Sequence, residues 1–181
     1  FAVKRGDPRA VRLLLDFGAD PNILTHESSQ GKKKKNHVQR SLLSIAAKIG
    51  FYEGIKMLCD RGAKIENGTE NPLVIAVSKG SRECFAALIE DHEKDVLNLY
   101  DGHSLVYYAI QSDSTLLPLI ACLCQREYQQ LVEKKEEGNV VFPPKDLNSK
   151  EKKKLADALK YEDLYLPYDT IRAKVRQYRS S

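Results

Sequence analysis

The side chains in this 181-residue chain best suited to nucleophilic, acid–base or metal chemistry are four cysteines and four histidines. The cysteines are Cys59, Cys84, Cys122 and Cys124. No CxxC pair occurs and no histidine stands at metal-ligand spacing from a cysteine, so neither a zinc site nor a redox dithiol is predicted. Cys59 and Cys84 lie in helical contexts rich in Leu, Ile and Ala, which predicts buried, reduced thiols. Asp91-His92 and Asp101-Gly102-His103 each set a carboxylate beside an imidazole, the minimum for proton transfer. Both fall at predicted turns, and Asp101-Gly102 is a turn dipeptide in its own right. GxGxxG, P-loop, GxSxG and HExxH patterns are absent. The expectation is a non-enzyme with no cofactor and no metal, any catalysis belonging to a part of the protein outside this sequence.

The elements that would position these side chains come as repeats. Three segments share one rhythm, beginning at Ala2, Ala46 and Ala76. In each, the small residue is followed four positions later by Gly6, Gly50 or Gly80, a helix-ending glycine. Seven to nine residues further on comes an apolar triplet: Leu13-Leu14-Leu15, Met57-Leu58-Cys59 or Ala87-Leu88-Ile89. Helical spacing sets Val11, Leu14 and Leu15 on one face, and Ile55, Leu58 and Cys59 on another. Gly18-Ala19 and Gly62-Ala63 close the first two units. One unit is thus two antiparallel helices and a loop, whose apolar face is covered only when neighbours stack.

Gly18-Ala19-Asp20-Pro21-Asn22 resembles the GADxN that closes an ankyrin repeat. Ser41-Leu42-Leu43-Ser44-Ile45-Ala46-Ala47 and Asn71-Pro72-Leu73-Val74-Ile75-Ala76 are similar to its TPLHxAA opening. A fourth, degenerate unit begins at Asp101-Gly102-His103-Ser104; Ala76 to Ala109 is 33 residues, the ankyrin period. The histidine of the opening motif is replaced by Ser44, Val74 and Tyr107, so its turn-bracing bonds must come from elsewhere. Pro118 is expected in the first turn of the fourth unit's second helix. The resemblance implies an all-α ankyrin-repeat solenoid over residues 1–125, with units near 1–22, 41–66, 71–97 and 101–125. A basic insertion, 23–40, and a helical C-terminal extension, 126–181, complete the organisation.

The insertion carries Lys32, Lys33, Lys34 and Lys35 in sequence, lacks apolar periodicity and reads as a solvated loop. In the extension, Asn148-Ser149-Lys150-Glu151 is a capping-box variant that starts a helix with Leu155, Ala158 and Leu159 on one face. A last helix carries Ile171, Val175 and Tyr178 at helical spacing. Both are expected to cap the stack. Residues 1–144 hold 19 basic and 19 acidic side chains, and residues 145–181 hold 10 and 6, so the net charge of +4 resides in the tail. A balanced body argues against non-specific nucleic-acid binding. No apolar run reaches the roughly 18 residues of a membrane span. The opening Phe-Ala-Val-Lys-Arg, without Met, reads as a cut inside a longer protein, and the chain is assigned to the cytoplasm, with the nucleus as alternative.

The resemblance further implies a protein-interaction scaffold or adaptor that binds a partner on a concave face. The two residues that end each first helix would line it: Lys4 and Arg5, Lys48 and Ile49, Ser78 and Lys79, and Gln111 and Ser112. Finger-tip candidates are Asn67, Glu70, Tyr100, Asp101 and His103. Three of the four pairs contain a basic residue, so the expected partner is another protein or peptide of acidic character. The alternative is a basic module that meets an anionic membrane surface or nucleic acid through Lys32–Lys35 and the tail.

Overall fold

The computed structural model describes residues 1–28, 37–65, 68, 70–90, 96–133 and 142–160. The first helical pair is α1 (Ala2–Arg5) and α2 (Pro8–Asp16), followed by strands β1 (Leu24–Ser28) and β2 (His37–Ser41). Two more pairs follow, α3 (Leu42–Ile49) with α4 (Tyr52–Asp60) and α5 (Pro72–Lys79) with α6 (Arg82–Ile89). A short hairpin, β3 (Leu99–Tyr100) and β4 (His103–Ser104), leads into α7 (Leu105–Gln111), α8 (Leu117–Glu133) and α9 (Ser149–Leu159). The architecture is mostly helical and built of helix–turn–helix units, as predicted.

Local chemistry explains the boundaries. Gly6, Gly50 and Gly80 take left-handed φ values of 64°, 76° and 64° at the ends of the three first helices, where a Cβ would be strained. The Asp7 carboxylate accepts from the backbone N–H groups of Arg9 and Ala10, and Pro8 starts α2 behind it. The bracing that histidine would have supplied comes from the residues just ahead of the first helices. Ser41 Oγ accepts from the Ser44 N–H at 3.1 Å, Asn71 Oδ1 from Leu73 at 2.8 Å, and Ser104 Oγ from Tyr107 at 3.1 Å. In the first case the Ser44 hydroxyl also donates back to the Ser41 carbonyl at 2.9 Å. Pro118 falls in the first turn of α8, as expected.

The chain divides into two compact units, Phe1–Ala76 and Val77–Ser181. In the first, α1 packs on α2 and α3, and α2 and α3 both pack on α4, around Val3, Val11, Leu15, Leu43, Ile55 and Leu58. Leu14 is not part of this core. It is 52 % exposed beside Leu13 and Phe17, whereas Val11 and Leu15 are buried. Val11 and Leu15, four residues apart, form the stripe facing α1 and α4; Leu14 lies to one side of it. Asn22 ties successive turns together, its Nδ2 donating to Gly62 O at 3.1 Å and its Oδ1 accepting from Lys64 N–H at 2.8 Å.

The ends of the insertion are not a loop. β1 and β2 pair antiparallel, with Leu24 opposite Ser41 and Ser28 opposite His37. Backbone pairing of this kind needs no apolar alternation, and side chains reinforce it. Thr25 Oγ1 donates to Arg40 O at 3.2 Å, and the Arg40 guanidinium holds Glu70 with its Nε 2.9 Å from Oε2. Lys32–Lys35 lie outside the described residues.

In the second unit, α7 and α8 pack on each other and α9 packs on both, over Phe85, Leu88, Ile89, Leu105, Leu116, Ile120 and Leu123. Leu155 and Ala158 are the buried residues of α9, and the expected capping box is complete, Asn148 and Glu151 each satisfying the other's backbone N–H. The division expected after residue 125 falls inside α8. That helix runs unbroken from Leu117 to Glu133, with Leu123 and Cys124 buried ahead of the expected break. The last predicted helix, around Ile171, Val175 and Tyr178, lies outside the described residues.

Candidate functional site

Lys4 and Arg5 end α1, and Lys48 and Ile49 end α3. All four are exposed, and the two helices pack side by side within the first unit. Ile49 is 48 % exposed, and its Cδ1 would meet any side chain introduced at Gly6. Ile49 therefore lies against the glycine that follows Lys4 and Arg5 and is next in sequence to Lys48. Arg5 also lies over the Phe1 ring, its guanidinium carbon 4.8 Å from the centroid, a cation–π pair at an exposed position. Lys4, Arg5 and Lys48 occupy the last turns of their helices, where a cation offsets the carbonyl end of the helix.

The remaining candidates separate by environment. Ser78 and Lys79 are exposed at the end of α5. Gln111, at the end of α7, donates to Glu151 Oε1 of α9 at 2.6 Å, so the extension engages this position. Glu70 is committed to Arg40 and braces the finger hairpin instead of projecting as a tip. Asn67 lies outside the described residues.

Tyr100, Asp101 and His103 share the β3–β4 hairpin, in which Leu99 faces Ser104 and Tyr100 faces His103. Asp101 and Gly102 have φ of 50° and 82°, the signature of a tight two-residue hairpin turn. His103 stacks on Tyr107 at 4.1 Å between centroids and meets Tyr108 edge-on at 6.2 Å. Tyr108 donates its hydroxyl to Tyr100 O at 2.9 Å. Burial, and then the negative charge of Asp101, Tyr107 and Asp146, raises its phenol above the ordinary value. Sequence reasoning missed Asp146. Its carboxylate accepts from the Ser104 N–H at 2.9 Å and from the Ser104 hydroxyl at 3.2 Å, and lies 3.7 Å from His103 Nδ1.

Serine, histidine and aspartate thus meet at one place, but not as a hydrolytic triad. In a triad the imidazole bridges the hydroxyl and the carboxylate. Here the Ser104 hydroxyl bonds the carboxylate directly and accepts from the Tyr107 N–H. This cluster clasps the extension onto the hairpin and caps α7. Among the described residues, no group of three or more His, Cys, Asp or Glu is arranged to hold a metal ion. No helix among them is long and apolar enough to cross a membrane.

Against known families, residues 1–98 match the model described as ankyrin repeats (3 copies). The chain belongs to the ankyrin-repeat family. Ankyrin repeats are generally protein–protein interaction modules, and their stacked helical pairs account for the helix–turn–helix units and the glycine-capped first helices of this chain. No curated protein matches the chain. Beyond the matched segment, β3, β4, α7 and α8 repeat the hairpin–helix–helix order of an ankyrin unit.

Proposed function

We propose that this ankyrin-repeat chain is an interaction scaffold that binds an acidic segment of a partner protein along the ends of α1 and α3. The single observation that carries the reading is on the first unit, where the packed ends of α1 and α3 bring exposed Ile49 to Gly6, beside the residues Lys4 and Arg5 and with Lys48 as its neighbour in sequence. Cations near an apolar side chain suit a partner that alternates carboxylates with apolar residues. Within the second unit, taken by itself, Ser78 and Lys79 and the hairpin residues Tyr100, Asp101 and His103 are separate candidate contacts, the latter of the aromatic and polar kind found at hot spots. The free cysteines support a reducing compartment such as the cytoplasm.

Capture from cell extract, identified by mass spectrometry, tests the reading. The 181-residue chain is compared with a Lys4→Glu, Arg5→Glu, Lys48→Glu variant shown by circular dichroism to be folded. The expected result is a set of acidic proteins retained by the unsubstituted chain and lost by the variant. Identical lists would sink the proposal.

A further inference from the structure

A cavity of about 340 Å³ lies within the second unit, bounded by Val96–Leu99, Gly102, Ser104, Cys124, Phe142 and Pro144–Asp146. That volume falls within the roughly 300–1,000 Å³ of small-ligand sites, which are apolar with a few placed polar groups. The cavity has that composition. Of its lining residues Val96, Cys124 and Ser104 are buried, Phe142 is half-buried and Leu99 is 65 % exposed. Nothing in the ankyrin-repeat reading uses this space.

We infer that the cavity binds a small amphiphilic amine, its apolar body between Val96, Leu99, Cys124 and Phe142 and its ammonium group on Asp146. The Asp146 side chain is 14 % exposed and is fixed in place by the two Ser104 donors. A carboxylate offers about four acceptor sites, so two hydrogens from Ser104 leave acceptor capacity. His103 Nδ1, at 3.7 Å, is beyond hydrogen-bond length. A partly buried carboxylate beside apolar walls favours a cationic donor over a neutral one and repels an anion. The Cys124 wall stays uncharged, because burial holds its thiol at about 12 and its hydrogen is directed at Val96 O, 3.3 Å away. Lys145 also borders the cavity but is exposed, where its stem can keep the ammonium in water. This inference stands independently of the proposed partner surface.

The test is an NMR titration of the full isotope-labelled chain at neutral pH with 2-phenylethylamine and, separately, with the neutral 2-phenylethanol. The amine is expected to shift the signals of Val96, Leu97 and Leu99 saturably. The alcohol is expected to bind at least about tenfold more weakly, since the charge-assisted bond is absent. Asp146→Asn should abolish the preference for the amine over the alcohol, and Val96→Phe, which fills the cavity, should abolish binding of both. If Asp146→Asn fails to fold, the two probes on the unsubstituted chain still decide. Equal affinities, no saturable shifts with the amine, or shifts confined to residues outside the cavity would overturn the inference.

Discussion

At Gly68 the backbone φ is 103°, and a side chain there would meet Gln39 O at 2.9 Å and Ser41 N at 3.0 Å. Both obstacles are backbone atoms of β2, so neither can swing aside. Gly68→Ala should therefore combine a strained φ with a clash and lower stability by about 1–3 kcal/mol, read as a reduced urea midpoint. An unchanged midpoint would show that the second finger does not run against β2 in solution. The cysteines give a second prediction at this scale. The thiolate is the species that alkylates, and the Cys124 thiol, raised to about 12 by burial, is almost wholly protonated at pH 8. Iodoacetamide at pH 8 should label half-buried Cys59 first and reach Cys84, Cys122 and Cys124, all buried, only after denaturation. Peptide mapping that found Cys124 labelled in the native chain would contradict this. The glycine caps and the buried Cys84 were legible in the sequence because each depends on a local signal, whereas Cys59, predicted buried, is half-buried. Glu70 was misread as a tip because its partner, Arg40, lies 30 residues away in sequence.

Among the elements, legibility followed the range of the interactions that build them. The capping box of α9 could be read because Asn148 and Glu151 are three residues apart. So could the helical pairs, whose periodic apolar residues announce them. The β1–β2 hairpin could not, because its ladder is made by backbone groups and its residues show no alternation. Nor could the clasp of Asp146 on Ser104, across 42 residues. That clasp holds the first residue of the α7 cap and one strand of the β3–β4 hairpin, so its loss should act on a whole element. Asp146→Ala leaves the Ser104 N–H without its acceptor, at a cost of about 1–3 kcal/mol if no water replaces it. Hydrogen exchange should then quicken at Ser104 and Tyr107 while the amides of α3 and α4 keep their protection. Uniform quickening across both units would mean that the substitution unfolds the chain and that the clasp is not local.

For the chain as a whole, charge and recognition separate. The net charge of +4 arises in residues 145–181, and the basic run Lys32–Lys35 lies in the insertion, whereas the proposed partner surface centres on Lys4, Arg5 and Lys48 of the first unit. Bulk attraction to a polyanion scales with the number of cations that can approach it and falls steeply with salt. Recognition by a fixed patch depends instead on a few placed groups and on the apolar Ile49 near them. The two modes should therefore respond to different substitutions. Replacing Lys32–Lys35 with Gln removes four positive charges and should lower the salt at which the chain leaves a heparin column, while partner capture persists. Replacing Lys4, Arg5 and Lys48 with Gln removes three and should abolish capture, with a smaller change in heparin elution because those cations are spread over two helix ends. If instead both phenotypes follow total charge alone, the ankyrin stack recognises its partner as a polyanion and the patch around Ile49 has no special role.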